Sequence, residues 1–388
     1  IILRFANLFY PIKFDHSHSG RLGHFVGINS LYLENKRNKI SKKNSIEFFI
    51  HDKIISNIQI EKMFSKELNF LSHNFYPILK INKLIPGGNK LFVNYRADYL
   101  DRRVIFEHRN IYDSNKINAP LLKFQKSDLE LCKEQMKGLS LSESDKIIVL
   151  NLRDSNYLKE LYPHNDFSYK TQNVDINNYL MIVKELINKG YKVIRTGLNH
   201  KKKLNLLNNK YIDLYSDGYR TDLLETYIIS KCILYIGSFS GGSTPAEFIF
   251  KKPSIITNQI PITDIHSWSR NLFVIFKKIF DKKRNKNISL SEYFELLSAD
   301  FGPELLNATK DSRYKGSSNK NIFSKYNFND FDIIENSETE IYDVVFEALK
   351  KIESNNLEDK IINQENLEFK FKFKENLNKY PLLKKFHK

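Results

Sequence analysis

Short apolar runs alternate with segments of helical spacing along most of this chain. The alternation is clearest from Lys146 onward. Ile147-Ile148-Val149-Leu150 is a continuous apolar run of the kind buried on both faces of a parallel sheet. Lys192–Arg195, Tyr211–Tyr215, Cys232–Ile236 and Ser254–Thr257 read as further strands. Between them, Ile176–Lys189 (capped by Asp175 and ended by Gly190), Asp222–Ser230 and Pro245–Phe250 read as helices. Strands alternating with helices predict right-handed βαβ crossovers and a doubly wound sheet.

The first 140 or so residues are less regular but have the same character. Ile46–Ile50 and Leu91–Tyr95 read as strands, Asn57–Leu71 as an amphipathic helix, and Arg21–Gly27 as the opening of another. Ser127 with Glu130 looks like a capping box for a helix that stops at Gly138. Late in the chain, Asp281–Asn287 reads as a charged loop and Glu338–Lys350 as a helix capped by Ser337. A single core rarely serves 388 residues, so two domains are expected. The boundaries read as 1–140, 141–350 and a charged tail over 351–388.

Composition adds bounds. Hydrophobic residues make up 41% and aromatics 13%, enough for two cores. Lys and Arg number 61 against 45 acidic residues, a net charge of +16. Many of these lysines sit beside Asn and Ile, as in an AT-rich coding sequence, so the excess has an ordinary explanation. It also suits anionic partners: nucleotide phosphates, an acidic glycan, an anionic membrane face or nucleic acid. The basic residues are dispersed and no nucleic-acid motif is present, so no nucleic-acid partner is expected. Cys132 and Cys232 lack metal-ligand spacing and read as small core residues, which fits a cytoplasmic setting. No run is long enough to span a bilayer, although the chain opens on Ile1 rather than Met and a lost leader stays open.

The candidate chemistry gathers at predicted strand ends. In Ile236-Gly237-Ser238-Phe239-Ser240-Gly241-Gly242-Ser243-Thr244-Pro245-Ala246-Glu247, a buried strand runs into a small-residue loop. Thr244 reads as the cap of a helix, with Pro245 first and Glu247 at the capping-box position. Such a helix start attracts anions. Gly241 and Gly242 allow close backbone approach, and Ser238, Ser240 and Ser243 add hydroxyls. It is neither a Walker loop nor GxGxxG. Arg153, just past Leu150, is placed to hold a diphosphate in two-point fashion. Asp154 would orient it or bind a sugar hydroxyl. Arg195 with Gly197 and Arg220 beside Asp222 bring further cations to the same edge. In the first half, Arg21-Leu22-Gly23-His24 suits a ligand-facing loop, with His24 as a general base. Tyr157 is a further cleft candidate, and Glu107-His108-Arg109 a polar cluster that nothing ties to the cleft. No paired carboxylates stand where they would grip a metal, so positive groups are expected to neutralise the diphosphate.

Arg21-Leu22-Gly23-His24, Leu152-Arg153-Asp154-Ser155, Arg195-Thr196-Gly197, Tyr219-Arg220-Thr221-Asp222 and Ile236–Gly241 occur in this order in a family of poorly characterised bacterial glycosyltransferases from surface-polysaccharide clusters, and the chain resembles that family from about Arg21 to Leu349. Leu152-Arg153-Asp154 and Gly237-Ser238-Phe239-Ser240 are more distantly similar to motifs of the fucosyltransferase superfamily, although Asn151 stands where that superfamily carries His and a second Arg is missing. The resemblance implies a metal-independent GT-B enzyme: two Rossmann-like α/β domains with parallel sheets facing across a cleft, and no cofactor beyond a nucleoside-diphosphate sugar. Arg153 would bind the donor diphosphate. The acceptor would be a glycan or a lipid-linked molecule, with peripheral contact to the inner membrane face. Ser240–Ile255 also resembles the donor segment of UDP-N-acetylglucosamine 2-epimerases, in which the residue matched by Glu247 holds the ribose. A sugar-nucleotide 2-epimerase and a non-enzymatic polyanion-binding protein are the rival readings. The last helix is expected to cross back to the first domain, as in many GT-B enzymes.

Overall fold

The computed structural model describes residues 11–37, 45–92, 119–154, 173–198, 201–260, 272–289, 292 and 330–354. In chain order the strands are β1 (Ile12–His16), β2 (Ile46–Ile50), β3 (Asn69–Leu71), β4 (Ile147–Asn151), β5 (Lys192–Arg195), β6 (Tyr211–Asp213), β7 (Leu234–Ser238), β8 (Ser254–Gln259), β9 (Leu272–Phe276), β10 (Lys278–Asp281), β11 (Lys286–Asn287) and β12 (Phe331–Ile334). The α-helices are α1 (Leu22–Arg37), α2 (Ile58–Phe64), α3 (Tyr76–Leu84), α4 (Lys126–Gly138), α5 (Leu180–Asn188), α6 (Asp222–Lys231) and α7 (Glu338–Glu353).

The large sheet has six parallel strands in the order β6-β5-β4-β7-β8-β9. This is the doubly wound Rossmann order, with β4 and β7 central. The apolar run of β4 divides between two cores by simple alternation. Ile148 and Leu150 join α5 and α7 on one face. Ile147 and Val149 join α4, α6 and α1 on the other. A strand covered on both faces needs apolar residues at every position, which is why β4 shows no polar alternation.

The first half carries a smaller parallel sheet, β1-β2-β3, with Phe92 bridging to the free side of Phe14. The mixed α/β architecture with two parallel, Rossmann-like sheets is therefore the one expected. One hydrophobic core continues from Phe25, Phe49 and Phe64 of this half into Val149 of the large sheet and Tyr227 and Phe248 of the helical segments that cover it. Polar ties cross the same boundary: Ile58 N donates to Asp222 Oδ2 at 2.8 Å and Leu121 N to Ile249 O at 2.7 Å.

Several local expectations are corrected. The segment Asn57–Leu71 is not one helix. Asn57 caps a short α2, Ser65 closes it, and Asn69–Leu71 extends to pair with Phe48–Ile50. Helix α4 begins at Lys126 after an extended Gln125, with no side-chain cap, so Ser127 and Glu130 form no capping box. The charged segment Asp281–Asn287 is a hairpin in which Asp281 accepts N–H bonds from Lys283 and Arg284 and pairs with the Arg284 side chain at 2.6 Å. Helix α7 does start on a true Ser337–Glu340 capping box, but its buried face, Ile341, Val345 and Ala348, lies in the core of the large sheet rather than returning to the first half. Cys132 and Cys232 are free and buried, and burial pushes both thiols up to about 12.

Candidate functional site at the carboxyl ends of β4 and β7

In a doubly wound sheet the crevice opens outside the carboxyl ends of the strands, where the order reverses. Here that point lies between β4 and β7. Arg153 follows β4 by two residues, and its backbone N–H donates to Ser238 Oγ, the last residue of β7, at 2.8 Å. Asn151 fills the space between neighbouring strand ends. Its Nδ2 donates to Thr196 Oγ1 at 2.9 Å, and a Cβ at Gly242 would stand 2.6 Å from its Oδ1. Gly242 is glycine because Asn151 occupies that volume. Gly197 has φ +109, a left-handed backbone that suits glycine, again beside Asn151. Asn151, in sequence only a departure from the fucosyltransferase-like motif, organises this edge.

The loop after β7 differs from its predicted form. The cap is Ser240, extended at φ −163 and ψ 165, whose Oγ accepts the Gly242 N–H. The chain is already helical at Thr244, so Thr244 cannot cap. Its hydroxyl donates back to Gly241 O at 2.8 Å. The next five residues, Pro245–Ile249, form a π turn and not an α-helix with a sizeable dipole. The Ser238, Ser243 and Thr244 side chains are buried, Ser243 and Thr244 bonding within the loop and Ser238 to the Arg153 N–H. Ser240, Gly241 and Gly242 remain half-exposed beside a half-exposed Arg153.

Other candidates have different positions from those expected. Arg195 is 1% exposed. Its guanidinium pairs with Asp213 Oδ2 at 3.1 Å and donates to Lys202 O at 2.7 Å, so it faces the interior between β5 and β6 and not a ligand. Arg220 is held by two carboxylates, Asp222 at 3.0 Å and Glu225 at 2.7 Å, and Glu225 also accepts the Gly197 N–H at 2.7 Å. Its charge is thus matched locally. Asp154 accepts the backbone N–H groups of Lys201 and Lys202, a tie to the neighbouring loop. Glu247 is 2% exposed. With Glu225 it adds to the effect of burial in pushing the Tyr235 phenol well above its ordinary range. It is buried, neither in a capping box nor at the half-exposed edge.

The carboxyl end of the small sheet meets this edge directly. A Cβ at Gly23, near the start of α1, would lie 2.7 Å from Gly241 Cα, and one at Gly241 would lie 2.7 Å from Gly23 Cα. Both glycines are needed because two backbones touch. Just before α1, the segment Asp15-His16-Ser17-His18-Ser19-Gly20 closes β1. His16 Nε2 bonds Asp52 Oδ1 at 2.9 Å, and His16 Nδ1 lies 3.2 Å from His18 Nδ1. His24 packs edge-on to His18 with ring centres 6.2 Å apart, and Arg21, exposed, donates its N–H to His18 O. Burial raises the Asp52 carboxyl, but the His16 bond, the Gly20 N–H and the two imidazoles outweigh it and hold Asp52 at about 2. Burial lowers His51, against its bond to Glu61. Sequence reading passed over His16, His18 and Asp52. The available signal was His-Ser-His-Ser-Gly immediately before Arg21-Leu22-Gly23-His24.

Tyr157 and the Glu107-His108-Arg109 cluster lie outside the described residues. Among the described residues, no three His, Cys, Asp or Glu side chains gather to hold a metal ion, and no helix is long and apolar enough to cross a membrane.

No protein-family model matches the chain, and no curated protein matches it. Among solved structures the chain is similar to the Escherichia coli ADP-heptose LPS heptosyltransferase II, at 14% identity and TM-score 0.42, over 68% of this chain and 89% of that one. It is similar to a glycosyl transferase family 9 protein from Veillonella parvula DSM 2008, at 10% identity and TM-score 0.47, over 88% of this chain and 97% of that one. It is also similar to the glycotransferase of kitacinnamycin, at 10% identity and TM-score 0.24, over 66% of this chain and 69% of that one. All three TM-scores lie below 0.5, too low to speak to this chain's chemistry.

Proposed function

We propose that this chain is a metal-independent glycosyltransferase that moves a sugar from a nucleoside-diphosphate sugar to a hydroxyl of a glycan or lipid-linked acceptor in bacterial surface-glycan synthesis. The observation that carries the reading is the joining of Arg153 to Ser238 across the β4–β7 switch point, beside the half-exposed Ser240-Gly241-Gly242 turn. An arginine and a glycine backbone at that position suit a diphosphate, which offers acceptor oxygens to both. As the bond from the sugar's anomeric carbon to the phosphate oxygen breaks, negative charge grows on the diphosphate. A guanidinium stabilises that charge more than it stabilises the bound donor. The donor would lie on the large-sheet half, residues 141–350, and the acceptor on the first half, residues 1–140. The Gly23–Gly241 contact brings the histidine-bearing edge, including His24, beside the donor loop.

The donor set is narrower than the sequence suggested: Arg153, Ser240, Gly241 and Gly242, with Asn151 and Gly197 shaping the floor. Thermal unfolding with GDP, UDP, CMP and their sugars, each with and without EDTA, tests it. A nucleotide at 100 times its Kd stabilises by about 2.7 kcal/mol. One nucleotide should raise the midpoint equally in EDTA. Arg153→Ala removes charge-assisted bonds of roughly 1.5–3 kcal/mol and should weaken that nucleotide about 10- to 100-fold. A folded protein that responds to no nucleotide contradicts the proposal.

A further inference from the structure

We propose that Asp52, His16 and His18 form a proton relay in which His18 Nε2 removes the proton from the acceptor hydroxyl. The proposal rests on the glycosyl-transfer reading above and assigns its base. The bonding pattern fixes the protons. Asp52 Oδ1, 2.9 Å from His16 Nε2, can only accept when ionised, so His16 Nε2 carries hydrogen. A neutral His16 then has a lone pair on Nδ1. The 3.2 Å contact between His16 Nδ1 and His18 Nδ1 requires hydrogen on the His18 side. A neutral His18 protonated at Nδ1 has its lone pair on Nε2. The arrangement therefore sets the tautomer of each ring in turn, starting from a carboxylate held ionised to about 2.

The position is as specific as the bonding. His18 has φ 53, a left-handed backbone that a non-glycine residue adopts seldom and at a cost. Gly20 N–H fixes the second Asp52 oxygen at 2.7 Å, and Ser19 Oγ accepts the Asp52 N–H at 2.8 Å. The relay is thus braced from both strand ends. His18 stands edge-on to His24, one residue from the Gly23 that touches Gly241. Among the described residues, the groups around the pair include Asp15, whose carboxylate accepts the His16 N–H, Asp52 and His51 at the end of β2, Arg21 and His24 at the start of α1, and Tyr76 at the start of α3 with His73 just before it.

The step balances. The acceptor O–H bond breaks and its proton goes to His18 Nε2. The oxygen's electron pair forms the new bond to the anomeric carbon, and the bond to the diphosphate breaks with its electrons on the phosphate. The charge gained by His18 is shared through Nδ1–H to His16 and compensated by Asp52. His18 is the catalytic residue; His16 and Asp52 are positioning residues.

The test uses the full chain labelled with nitrogen-15 at histidine. Coupling across the hydrogen bond between His16 Nδ1 and His18 Nδ1, with His16 in the Nε2–H and His18 in the Nδ1–H form, is expected. It should be lost in Asp52→Asn. In parallel, UDP and GDP release is followed from UDP-glucose and GDP-mannose, with binding of UDP and GDP by calorimetry. His18→Asn keeps a residue that tolerates the left-handed backbone. It should lower kcat by about 100-fold or more with nucleotide affinity unchanged, the usual range for losing a general base. Asp52→Asn should lower kcat, not raise KM, and move the acidic limb of the rate–pH profile, where the base becomes protonated. Absent coupling, or wild-type kcat in His18→Asn, overturns the relay while leaving the transferase reading intact. Coupling in a wild-type protein that binds neither nucleotide and releases none overturns the transferase reading, and with it the relay's role.

Discussion

Replacing Gly23 with alanine sets two effects of known sign against each other. Gly23 is the second residue of α1, and alanine in a helix gains roughly 0.5–1 kcal/mol over glycine. Against this, the new methyl would lie 2.7 Å from Gly241 Cα and 3.7 Å from the Gly241 carbonyl carbon and oxygen. Carbon atoms in good contact sit about 3.5–4.0 Å apart, so the two backbones must part by about 1 Å. Neither partner is a flexible side-chain end. Overpacking of this kind costs about 1–3 kcal/mol, which exceeds the helical gain. We expect Gly23→Ala to lose about 1–2 kcal/mol net. Gly138→Ala is the control, because Gly138 ends α4 with nothing within 4 Å of its Cβ position. It should gain about 0.4–1 kcal/mol. Urea unfolding at constant slope reads both. A displacement of about 1 Å at a reacting site can cost 10²-fold in rate, so Gly23→Ala should also lose more turnover than stability. If Gly23→Ala is stabilised as Gly138→Ala is, the edge-to-edge contact is not tight and the reasoning fails.

Two further predictions separate structural from ligand roles. Arg195→Ala takes the guanidinium from the buried Asp213 carboxylate, and breaking such a pair costs about 3–5 kcal/mol; a stable variant with weakened nucleotide binding would restore Arg195 to the donor site. Asp52 is held at about 2 against an ordinary 3.8, so its contribution to stability is complete above pH 3.8 and lost as pH falls towards 2. His16→Ala should raise the Asp52 carboxyl in a carbon-13 titration, and an unchanged titration would remove the His16–Asp52 bond from the account.

The sequence revealed elements better than the contacts among them. Strands β2, β4 and β5 and helix α6 are legible because their apolar runs are dictated by burial on known faces. The error at Asn57–Leu71 arose because Leu68 and Leu71 continue an apolar spacing that the chain uses as a strand edge. Strand pairing register is invisible to local pattern, and it decides Arg195: Arg195 and Asp213 are register partners on β5 and β6, so the arginine turns inward to its neighbour. Thr244 misled for a related reason. A Ser-Gly-Gly-Ser-Thr-Pro string offers more than one cap, and the close approach of Gly23 sets the turn at Ser240. Arg153 and the Gly241–Gly242 turn were found because strand–loop transitions at a sheet edge are local. His16, His18 and Asp52 were not, because a carboxylate 36 residues away from an imidazole leaves no local mark.

The central claim is that a sugar nucleotide's diphosphate binds where β4 and β7 end. Backbone hydrogen exchange on the full chain, with and without UDP and GDP, measures this most directly. One nucleotide should slow exchange at Arg153 and across Ser240–Ser243 while leaving α3 and α7 unchanged. Protection confined to another part of the chain, or none from either nucleotide at saturating concentration, would contradict the account.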